Sequence, residues 1–402
     1  MLRQHFRIIL ILCLISSLGR FVLDSYLPSL PEIGGYFLIS DSFSQLTLTL
    51  YLFGFSFSQL IYGPLSDYYG RRIIIMAGLG IFLLGSFICS LAISPEMLII
   101  SRLIAGIGAG SCGVLNRAIA HDYFRGAEFS KAWSYTTTSL VLTLIIAPVL
   151  GGYIQEQLGW RANFGLATLS IIAVLVIIFK FLPETNTNRL TGQLHFSDIL
   201  KTYYRILKTR TFLMHTLCYT LAFSGLIAYF QLGSLLFIHG FGLTPLQYGW
   251  TSFVISGSYL AGGVLVNRLV SLLSIYHLLF LGAVIMLSGG LLMLAGHFLN
   301  VFHIIYVLLA SAVYVIGARI VIPNAIAGSM EEFRQLGGSA SALMGCIQMS
   351  GSALVSLLIA NFTKQTLFPL ALSLASLGVL CLLITYCTKP RISPVTLIAT
   401  AI

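Results

Sequence analysis

Long uninterrupted runs of apolar residues constrain this chain more than any other feature of its sequence. Many runs last about 20 residues, the length of helix that crosses the roughly 30 Å hydrocarbon core of a membrane. They lack the strict alternation of apolar and polar residues that is typical of strands in a membrane barrel. Because lipid offers no hydrogen-bond partners to the backbone, the sequence predicts an all-α integral membrane protein.

The composition excludes a water-soluble domain. Hydrophobic residues make up 57% of the 402 positions and charged residues 8%, against about 45–50% and about 25% in ordinary soluble domains. Twelve spans of about 22 residues use about 264 positions, which leaves no room for a globular catalytic domain. The predicted spans are 6–29, 42–64, 73–93, 97–120, 132–156, 162–182, 211–237, 246–268, 274–296, 302–326, 336–361 and 367–387.

One long polar segment divides the twelve spans into two groups of six. We predict an N-terminal half at residues 1–182, a cytoplasmic linker at 183–210, a C-terminal half at 211–390 and a cytoplasmic tail at 391–402. Duplicated transporters have this architecture, with the substrate cavity between the halves near the bilayer midplane. The sequence therefore favours a transporter of small molecules.

The distribution of basic residues predicts the orientation of the chain. A net charge of +10 would suggest nucleic acid as the partner of a soluble protein. Here the basic residues are spread among short loops, so we expect lipid and no nucleic acid. Sixteen Lys and Arg lie on the side of the termini, whereas only Arg161 and Lys364 lie on the other side. The positive-inside rule then places both termini in the cytoplasm.

The sequence indicates no enzyme, metal site or soluble cofactor. Its seven cysteines lie within or at the ends of spans and form no CxxC pair. It contains no zinc-protease motif, no nucleophile elbow with partners, and no channel filter segment. Since no ATP site is visible either, the proton gradient is the expected driving force, and we expect a monomer.

A charged turn follows the second predicted span. It brings the carboxylate of one residue close to two guanidinium groups, and for the arginines alone the positive-inside rule is a sufficient explanation. The complete string resembles the loop signature of the major facilitator superfamily. In that family the Asp and the first Arg of the loop hold the two halves together in the outward-facing state. The residues that this resemblance assigns to a cytoplasmic gate are Gly63, Asp67, Gly70, Arg71 and Arg72.

Two further strings resemble patterns of the same superfamily. Arg102 opens an R-x-x-x-G-x-G string in span four, which is similar to the family pattern associated with proton transfer. Span five ends in Pro148-Val-Leu-Gly151-Gly152, similar to the G-P-x-x-G-G antiporter signature, with Ala147 at its first position. A proline kink with close helix contact is the structural explanation of the second string.

The end of the first span narrows the resemblance to one branch. Residues 24–31 read D-S-Y-L-P-S-L-P, similar to the D-x-Y-L-P-x-L-P opening of the Bcr/CflA drug-resistance branch. The resemblance implies a fold of twelve helices in two six-helix halves, and a drug and proton antiporter of the cell inner membrane. Sibling sequences carry metabolites, sugars or siderophores, so the substrate does not follow from the branch.

Charged side chains inside the spans need a partner or a cavity, because each costs roughly 2.5–3.5 kcal/mol at the centre of a helix on insertion scales. At 1.5 Å per residue, Asp24 and Arg102 fall at about the same depth. We hypothesise that Asp24 carries the proton and that Arg102 is a nearby charge that tunes it. The structural alternative is that Asp24 caps the helix end near Pro28.

Arg20 and Arg319 lie inside spans and depart from the branch pattern. Arg20 precedes Asp24 by four residues, the spacing of an intrahelical ion pair. Two cavity arginines suit an anionic substrate, because guanidinium binds carboxylates in bidentate fashion. An acidic metabolite or carboxylate siderophore and a mixed spectrum of drugs therefore stay open as substrates. Simple pairing of Arg20, and snorkelling of Arg319, are the structural alternatives.

Four further residues complete the predicted substrate cavity: Tyr135 and Thr138 in span five, and His215 and Tyr219 in span seven. Their hydroxyl and imidazole groups can face a ligand, although helix packing explains them equally well. Proton-coupled uptake is the main alternative to export, because the loop motif occurs with both directions of transport. The Pro148 string favours export.

Overall fold

The computed structural model describes residues 2–124, 126–186, 196–362 and 366–388. These residues are almost entirely helical and contain no strand. Twelve of their helical segments are long and apolar enough to cross a membrane, and they follow the predicted order. The prediction of an all-α protein with twelve spans is confirmed. Lys364 and the predicted tail at 391–402 lie outside the described residues.

Fourteen α-helices and three short helical segments of other types make up the described part of the chain. The short segments are the 3₁₀ turns Leu27–Ser29 and Glu331–Leu336 and the π-helix Leu236–Gly240. The α-helices are α1 Leu2–Asp24, α2 Leu30–Phe37, α3 Asp41–Tyr69, α4 Arg71–Ser90, α5 Pro95–Tyr123, α6 Gly126–Leu158, α7 Trp160–Phe181, α8 Phe196–Leu207, α9 Arg210–Leu235, α10 Pro245–Leu269, α11 Ile275–Phe298, α12 Ile304–Met330, α13 Gly337–Ala360 and α14 Leu367–Cys387.

The spans form two halves that pack against each other. In the first half α5 packs against α3 and α4, and in the second half α11 packs against α12 and α14. Between the halves, α3 packs against α13 and α6 packs against α10. The distal end of the bundle, opposite the start of α1, is where α2 ends and α10 begins. A site between the halves is therefore lined by helices of both.

The first span is broken directly after Asp24. α1 ends there, a 3₁₀ turn follows at Leu27–Ser29, and α2 continues to Phe37. Pro28 and Pro31 lack the amide N–H that a continuing α-helix needs, which accounts for the break. The predicted span end at residue 29 was wrong, since the span reaches Phe37. The break leaves a buried carboxylate at a helix terminus.

The predicted linker, of which residues 187–195 lie outside the described part, contains the helix α8. Tyr203 and Ile206 are buried on one side of α8, whereas Leu200 on the other side is exposed. The hydroxyl of Tyr203 donates to the backbone carbonyl of Leu60 in α3 at 3.2 Å. Because α8 also packs against α13, it contacts both halves of the protein.

Glycines allow α5 to approach its neighbours closely. Gly106 lies against the backbone of Tyr51 in α3, and Gly108 lies against the backbone of Phe82 in α4. A side chain at either glycine would overlap the neighbouring backbone. Helices in lipid associate through such close packing, since apolar surface alone gives no preference for protein over lipid. The R-x-x-x-G-x-G spacing therefore has a structural role.

We expect Gly106→Val to destabilise the protein by about 1–3 kcal/mol or more, because the new side chain meets backbone atoms that cannot move aside. Thermal unfolding of the purified protein in detergent measures the effect. Gly80→Val is the matched control, since a Cβ atom at Gly80 has open space around it. Equal unfolding temperatures for the two variants would contradict the close approach of α5 and α3.

Candidate functional site

A buried ion pair lies at the end of α1. Asp24 is 1% exposed, and Nε of Arg20 donates to its Oδ2 atom at 2.5 Å. The four-residue spacing of the two residues predicts this pair. Oδ1 of Asp24 and Nη2 of Arg20 are also buried, yet neither has a hydrogen-bond partner among the described residues. The pair is therefore joined by one hydrogen bond, and one polar atom of each residue is left for a further partner.

Arg20 faces the second half of the protein. Its guanidinium carbon lies 5.6 Å from the ring centroid of Phe223 and 5.8 Å from that of Phe230, both on α9. A cation near the face of an aromatic ring is attracted by the quadrupole of the ring. The ion pair thus lies at the interface between α1 and α9, where the two halves meet.

Arg102 occupies a separate aromatic cage. Its guanidinium carbon lies 4.6 Å from the ring centroid of Tyr26 and 4.2 Å from that of Tyr51. The side chain is fully buried, and its three guanidinium nitrogens have no hydrogen-bond partner in the described part of the chain. Asp24 pairs with Arg20 instead. The expected direct effect of Arg102 on Asp24 is therefore not supported by an ion pair between them.

Arg117 and Arg319 are the remaining arginines inside spans. Nη1 of Arg117 donates to the hydroxyl of Ser341 at 2.5 Å, and its guanidinium carbon lies 5.8 Å from the ring of Trp133. The guanidinium carbon of Arg319 lies 4.8 Å from the ring of Tyr259. Among the described residues neither arginine has a carboxylate within ion-pair distance. Both positive charges are therefore uncompensated by protein carboxylates there.

Tyr219 of α9 connects these groups. It is largely buried, its ring centroid lies 6.3 Å from that of Phe223, and Arg117, Tyr259 and Arg20 lie within electrostatic range of it. Arg319 lies against the ring of Tyr259. Three arginines therefore lie near Tyr219. Of the predicted cavity residues, the structure brings Arg20, Tyr219 and Arg319 into one region. We call the region around Arg20, Arg117, Tyr219, Tyr259 and Arg319 the arginine cavity.

His215 is occupied by its own surroundings. Its Nδ1 atom lies 2.7 Å from the backbone carbonyl of Thr211, one turn earlier in α9. Its ring fills the space that Gly328 leaves on α12. This placement matches the packing alternative for His215 rather than the predicted role in the cavity.

Tyr135 and Thr138 also lie apart from the arginine cavity. Tyr135 is 51% exposed and shares one face of α6 with Leu142 and Ile146, which are exposed as well. The hydroxyl of Thr138 donates to the backbone carbonyl of Ser134. The helical spacing turns both side chains toward the exposed side of α6, and their role in lining a substrate cavity stays a prediction.

The charged turn between α3 and α4 contacts its own half. Arg71 pairs with Oδ1 of Asp67 at 2.5 Å and with Oδ2 of Asp122 at 2.9 Å. The backbone amide of Arg71 donates to Oε1 of Glu184 at 2.9 Å. These partners belong to α3, α5 and the segment after α7. In this conformation the turn is tied to the first half, and its role as a latch between the halves stays a prediction.

The other predicted residues of the turn have structural roles. Gly70 ends α3 with a φ of 99°, a conformation that favours glycine. Nη2 of Arg72 donates to the backbone carbonyl of Phe179 in α7. Gly63 lies where α3 passes α13. A Cβ atom at this position would be in ordinary van der Waals contact with Ala342. The turn therefore fixes the relative positions of helices at the end of the bundle that carries the start of α1.

The predicted antiporter string forms a close contact at the distal end of the bundle. Gly152 lies against the backbone of Pro245 in α10, and Gly249 of α10 lies against the backbone of Pro148. Gly151 lies against the backbone of the segment after α1. Since backbone meets backbone on both sides, no side chain fits between the helices. We call this contact the distal seal.

Two buried glutamines near the distal seal escaped prediction. Nε2 of Gln231 in α9 donates to Oε1 of Gln45 in α3 at 2.7 Å, and to the backbone carbonyl of Ser356 in α13 at 3.2 Å. Both glutamines are fully buried. Buried amide groups require hydrogen-bond partners. Each glutamine finds one in the other half, so the pair joins the two halves. Their sequence signal, an uncharged polar residue in an apolar span, is shared with many serines and threonines that only contact their own helix.

Comparison with known proteins places these features in a family. The family model described as Major Facilitator Superfamily matches residues 9–356. A protein of Haemophilus influenzae named "Bicyclomycin resistance protein homolog" is 26% identical over 97% of this chain and 98% of its own length. "Multidrug resistance protein D" of Escherichia coli is 25% identical over 96% of each chain.

Solved structures agree with this assignment at the level of the fold. The xylose transporter XylE from E. coli, in a partially occluded inward-open conformation, superposes with a TM-score of 0.75. It is 15% identical in sequence, and the superposition covers 97% of this chain and 99% of the other. The agreement covers both halves.

Substitution of Arg102 tests its cage. We expect Arg102→Met to unfold at a temperature equal to or above that of the wild type, because it removes a buried cation that lacks hydrogen-bond partners. Arg102→Lys should unfold at a lower temperature, since a compact, strongly hydrated ammonium group cannot stack between two rings. Thermal unfolding of the purified variants and the wild type measures both differences. A Met variant less stable than the Lys variant would show that charge stabilises this position.

Substitution of Gly152 tests the distal seal. We expect Gly152→Leu to shift the equilibrium toward an open distal end by about 5- to 150-fold, the equivalent of a clash of about 1–3 kcal/mol. The rate at which an impermeant maleimide labels Ser252→Cys, a position buried between α10 and α6, in a Cys387→Ser background, reports the opening. Gly165→Leu is the control, because a Cβ atom at Gly165 has open space. Unchanged labelling in the Gly152 variant would contradict the seal.

Proposed function

Because this chain belongs to the major facilitator superfamily, and is thus a multi-pass membrane transporter and not an enzyme, we propose that it exports small molecules in exchange for protons. Alternating access of a central site to the two sides of the cell inner membrane is the proposed mechanism. The observation that carries the proposal is the buried ion pair of Arg20 and Asp24 at the interface between the halves. Drug-type substrates are suggested by the names of its relatives.

The proposed proton step takes place at Asp24. While ionised, Asp24 is neutralised by Arg20, and the pair has no net charge. A proton on Asp24 removes its negative charge and leaves Arg20 as a cation against Phe223 and Phe230. Since the two states differ in charge at the interface of the halves, each favours a different set of partners across that interface. The proton gradient supplies the energy, and no cofactor is required.

The proposed conformational step links the two ends of the bundle. Outward opening separates Gly152 from Pro245 at the distal seal, which then lies on the outer side of the membrane. In the same step the Asp67 turn latches the halves on the cytoplasmic side, as the family resemblance implies. Both termini are cytoplasmic in this proposal, and the protein acts as a monomer.

A second candidate function is the export of an anionic metabolite or a carboxylate siderophore. The observation that favours it is the pair of cavity arginines, Arg117 and Arg319, that lack carboxylate partners among the described residues. Guanidinium groups recognise carboxylates through two parallel hydrogen bonds. A neutral or cationic drug would leave both charges uncompensated.

Asp24→Asn tests the proposed proton step. In proteoliposomes with an imposed pH gradient, we expect wild-type protein to accumulate radiolabelled chloramphenicol, the drug after which one relative, "Chloramphenicol resistance protein" of Pseudomonas aeruginosa, is named. The Asn variant should bring the drug only to equal concentrations on both sides, because an amide cannot carry a proton. Glu128→Gln, a substitution of an exposed carboxylate, is the control and should accumulate normally.

Two results would contradict the proposal. Normal accumulation by a folded Asp24→Asn variant would exclude Asp24 as the proton carrier. Accumulation by the wild type that ignores the pH gradient would exclude proton coupling altogether.

A further inference from the structure

The arginine cavity carries more positive than negative charge. Arg20, Arg117 and Arg319 contribute three positive charges, and Asp24, the partner of Arg20, contributes one negative charge. The difference, three minus one, is a net charge of +2. Uncompensated charges inside a membrane protein are expensive and usually serve a ligand or ion path. A dianion balances this charge while Asp24 is ionised, and protonation of Asp24 leaves the dianion-loaded cavity with one positive charge.

Each guanidinium group in the cavity is oriented by an aromatic ring. Phe223 lies beside Arg20, Trp133 beside Arg117 and Tyr259 beside Arg319. Each ring holds one guanidinium group in place, and Nη1 of Arg117 also donates to the hydroxyl of Ser341. The edge of Arg20 includes Nη2, which is buried without a partner among the described residues. The arrangement therefore presents preoriented donors to a ligand.

We propose that the arginine cavity binds a small organic dianion together with a proton. Arg117 and Arg319 hold the two negative groups of the ligand, and protonation of Asp24 releases Arg20 to become the third cationic contact. This inference rests on the proposed role of Asp24 as the proton-binding group. It differs from an exchange of drug for proton, since here ligand and proton occupy the protein at the same time.

The sign of the coupling follows from electrostatics. A dianion near Asp24 makes its ionised form less favourable, so dianion binding strengthens proton binding. Reciprocity requires that protonation strengthens dianion binding by the same factor. A cationic ligand has the opposite effect on Asp24. One site would therefore carry protons in the same direction as dianions and in the opposite direction to cations.

The other groups around Asp24 do not replace Arg20. Tyr51 of α3 and Tyr248 of α10 lie within electrostatic range of Asp24. Arg102 of α5 lies against the rings of Tyr26 and Tyr51 and forms no ion pair with Asp24. The residues that α6 and α7 place next to this segment do not titrate: Gly151, which abuts the backbone of Ser25, and Asn163, which donates to Ser29. Proton binding at Asp24 therefore acts mainly on Arg20.

The test measures proton uptake during ligand binding. Full-length protein in nanodiscs, in weak buffer with a pH-sensitive dye, is titrated with linear dicarboxylates of four to eight carbons. The matching diamides control for shape, and tetraphenylphosphonium serves as the cationic probe. We expect at least one dicarboxylate to bind with proton uptake, the diamides not to bind, and the cation to release protons.

Three variants assign the effect to residues. Asp24→Asn, which imitates the protonated carboxyl group, should bind the dicarboxylate without proton uptake and with an affinity that no longer depends on pH. Arg319→Gln should bind it about ten- to hundredfold more weakly, the value of a charge-assisted hydrogen bond. Arg268→Gln, at an exposed position near the end of α10, is the matched control and should bind normally. Thermal unfolding verifies that each variant is folded.

The outcomes separate this inference from the proposed function. Dicarboxylate binding with proton uptake, in a protein that fails to accumulate chloramphenicol, supports the inference and removes the drug-export proposal. Proton-coupled chloramphenicol transport without binding of any dicarboxylate overturns the inference and leaves the export proposal intact. Proton release on dicarboxylate binding, or proton uptake that persists in Asp24→Asn, also overturns it.

Discussion

The charged side chains of the candidate site lie inside the bilayer, and the need to compensate their charges determines how the site is built. Four of the protein's formally charged side chains lie in spans near the interface of the halves, a fifth, Arg102, lies within the first half, and their charges are accommodated in different ways. Asp24 and Arg20 neutralise each other, Arg102 is enclosed by aromatic rings, and the two others have rings and hydroxyls but no carboxylate in the described residues. A charge without a counter-charge is stable only if something else compensates it. That requirement connects the arrangement of the helices to the ligand that they can hold.

Close backbone contact is the second determinant of the structure. α5 meets α3 and α4 at glycines, and α6 meets α10 at glycines of both helices. The first set of contacts lies within one half and supports the scaffold. The second set joins the halves at the distal seal. The same packing chemistry therefore serves a permanent contact in one place and, in the proposed cycle, a reversible contact in the other.

Twelve spans and two halves could be predicted from the sequence, because hydrophobic length is a local property. The Arg20 and Asp24 pair followed from their spacing within one helix. The directions of Tyr135 and Thr138 on α6 did not follow, since composition does not reveal which face of a helix meets a neighbour. Arg117 and Tyr259 needed the tertiary structure, because their association through Tyr219 joins three helices distant in sequence. Roles of these residues in transport stay predictions.

The position of α8 limits how the halves can move. Tyr203 holds α8 to α3, and α8 also packs against α13. The buried contacts of α3 with α13 extend from Thr49 and Ser356 to Ser56 and Cys346. Any rotation that separates Gly152 from Pro245 and preserves these contacts has its axis near α3 and α13. Points close to an axis move least, so α8 can remain attached while the far side of the bundle sweeps through the largest arc.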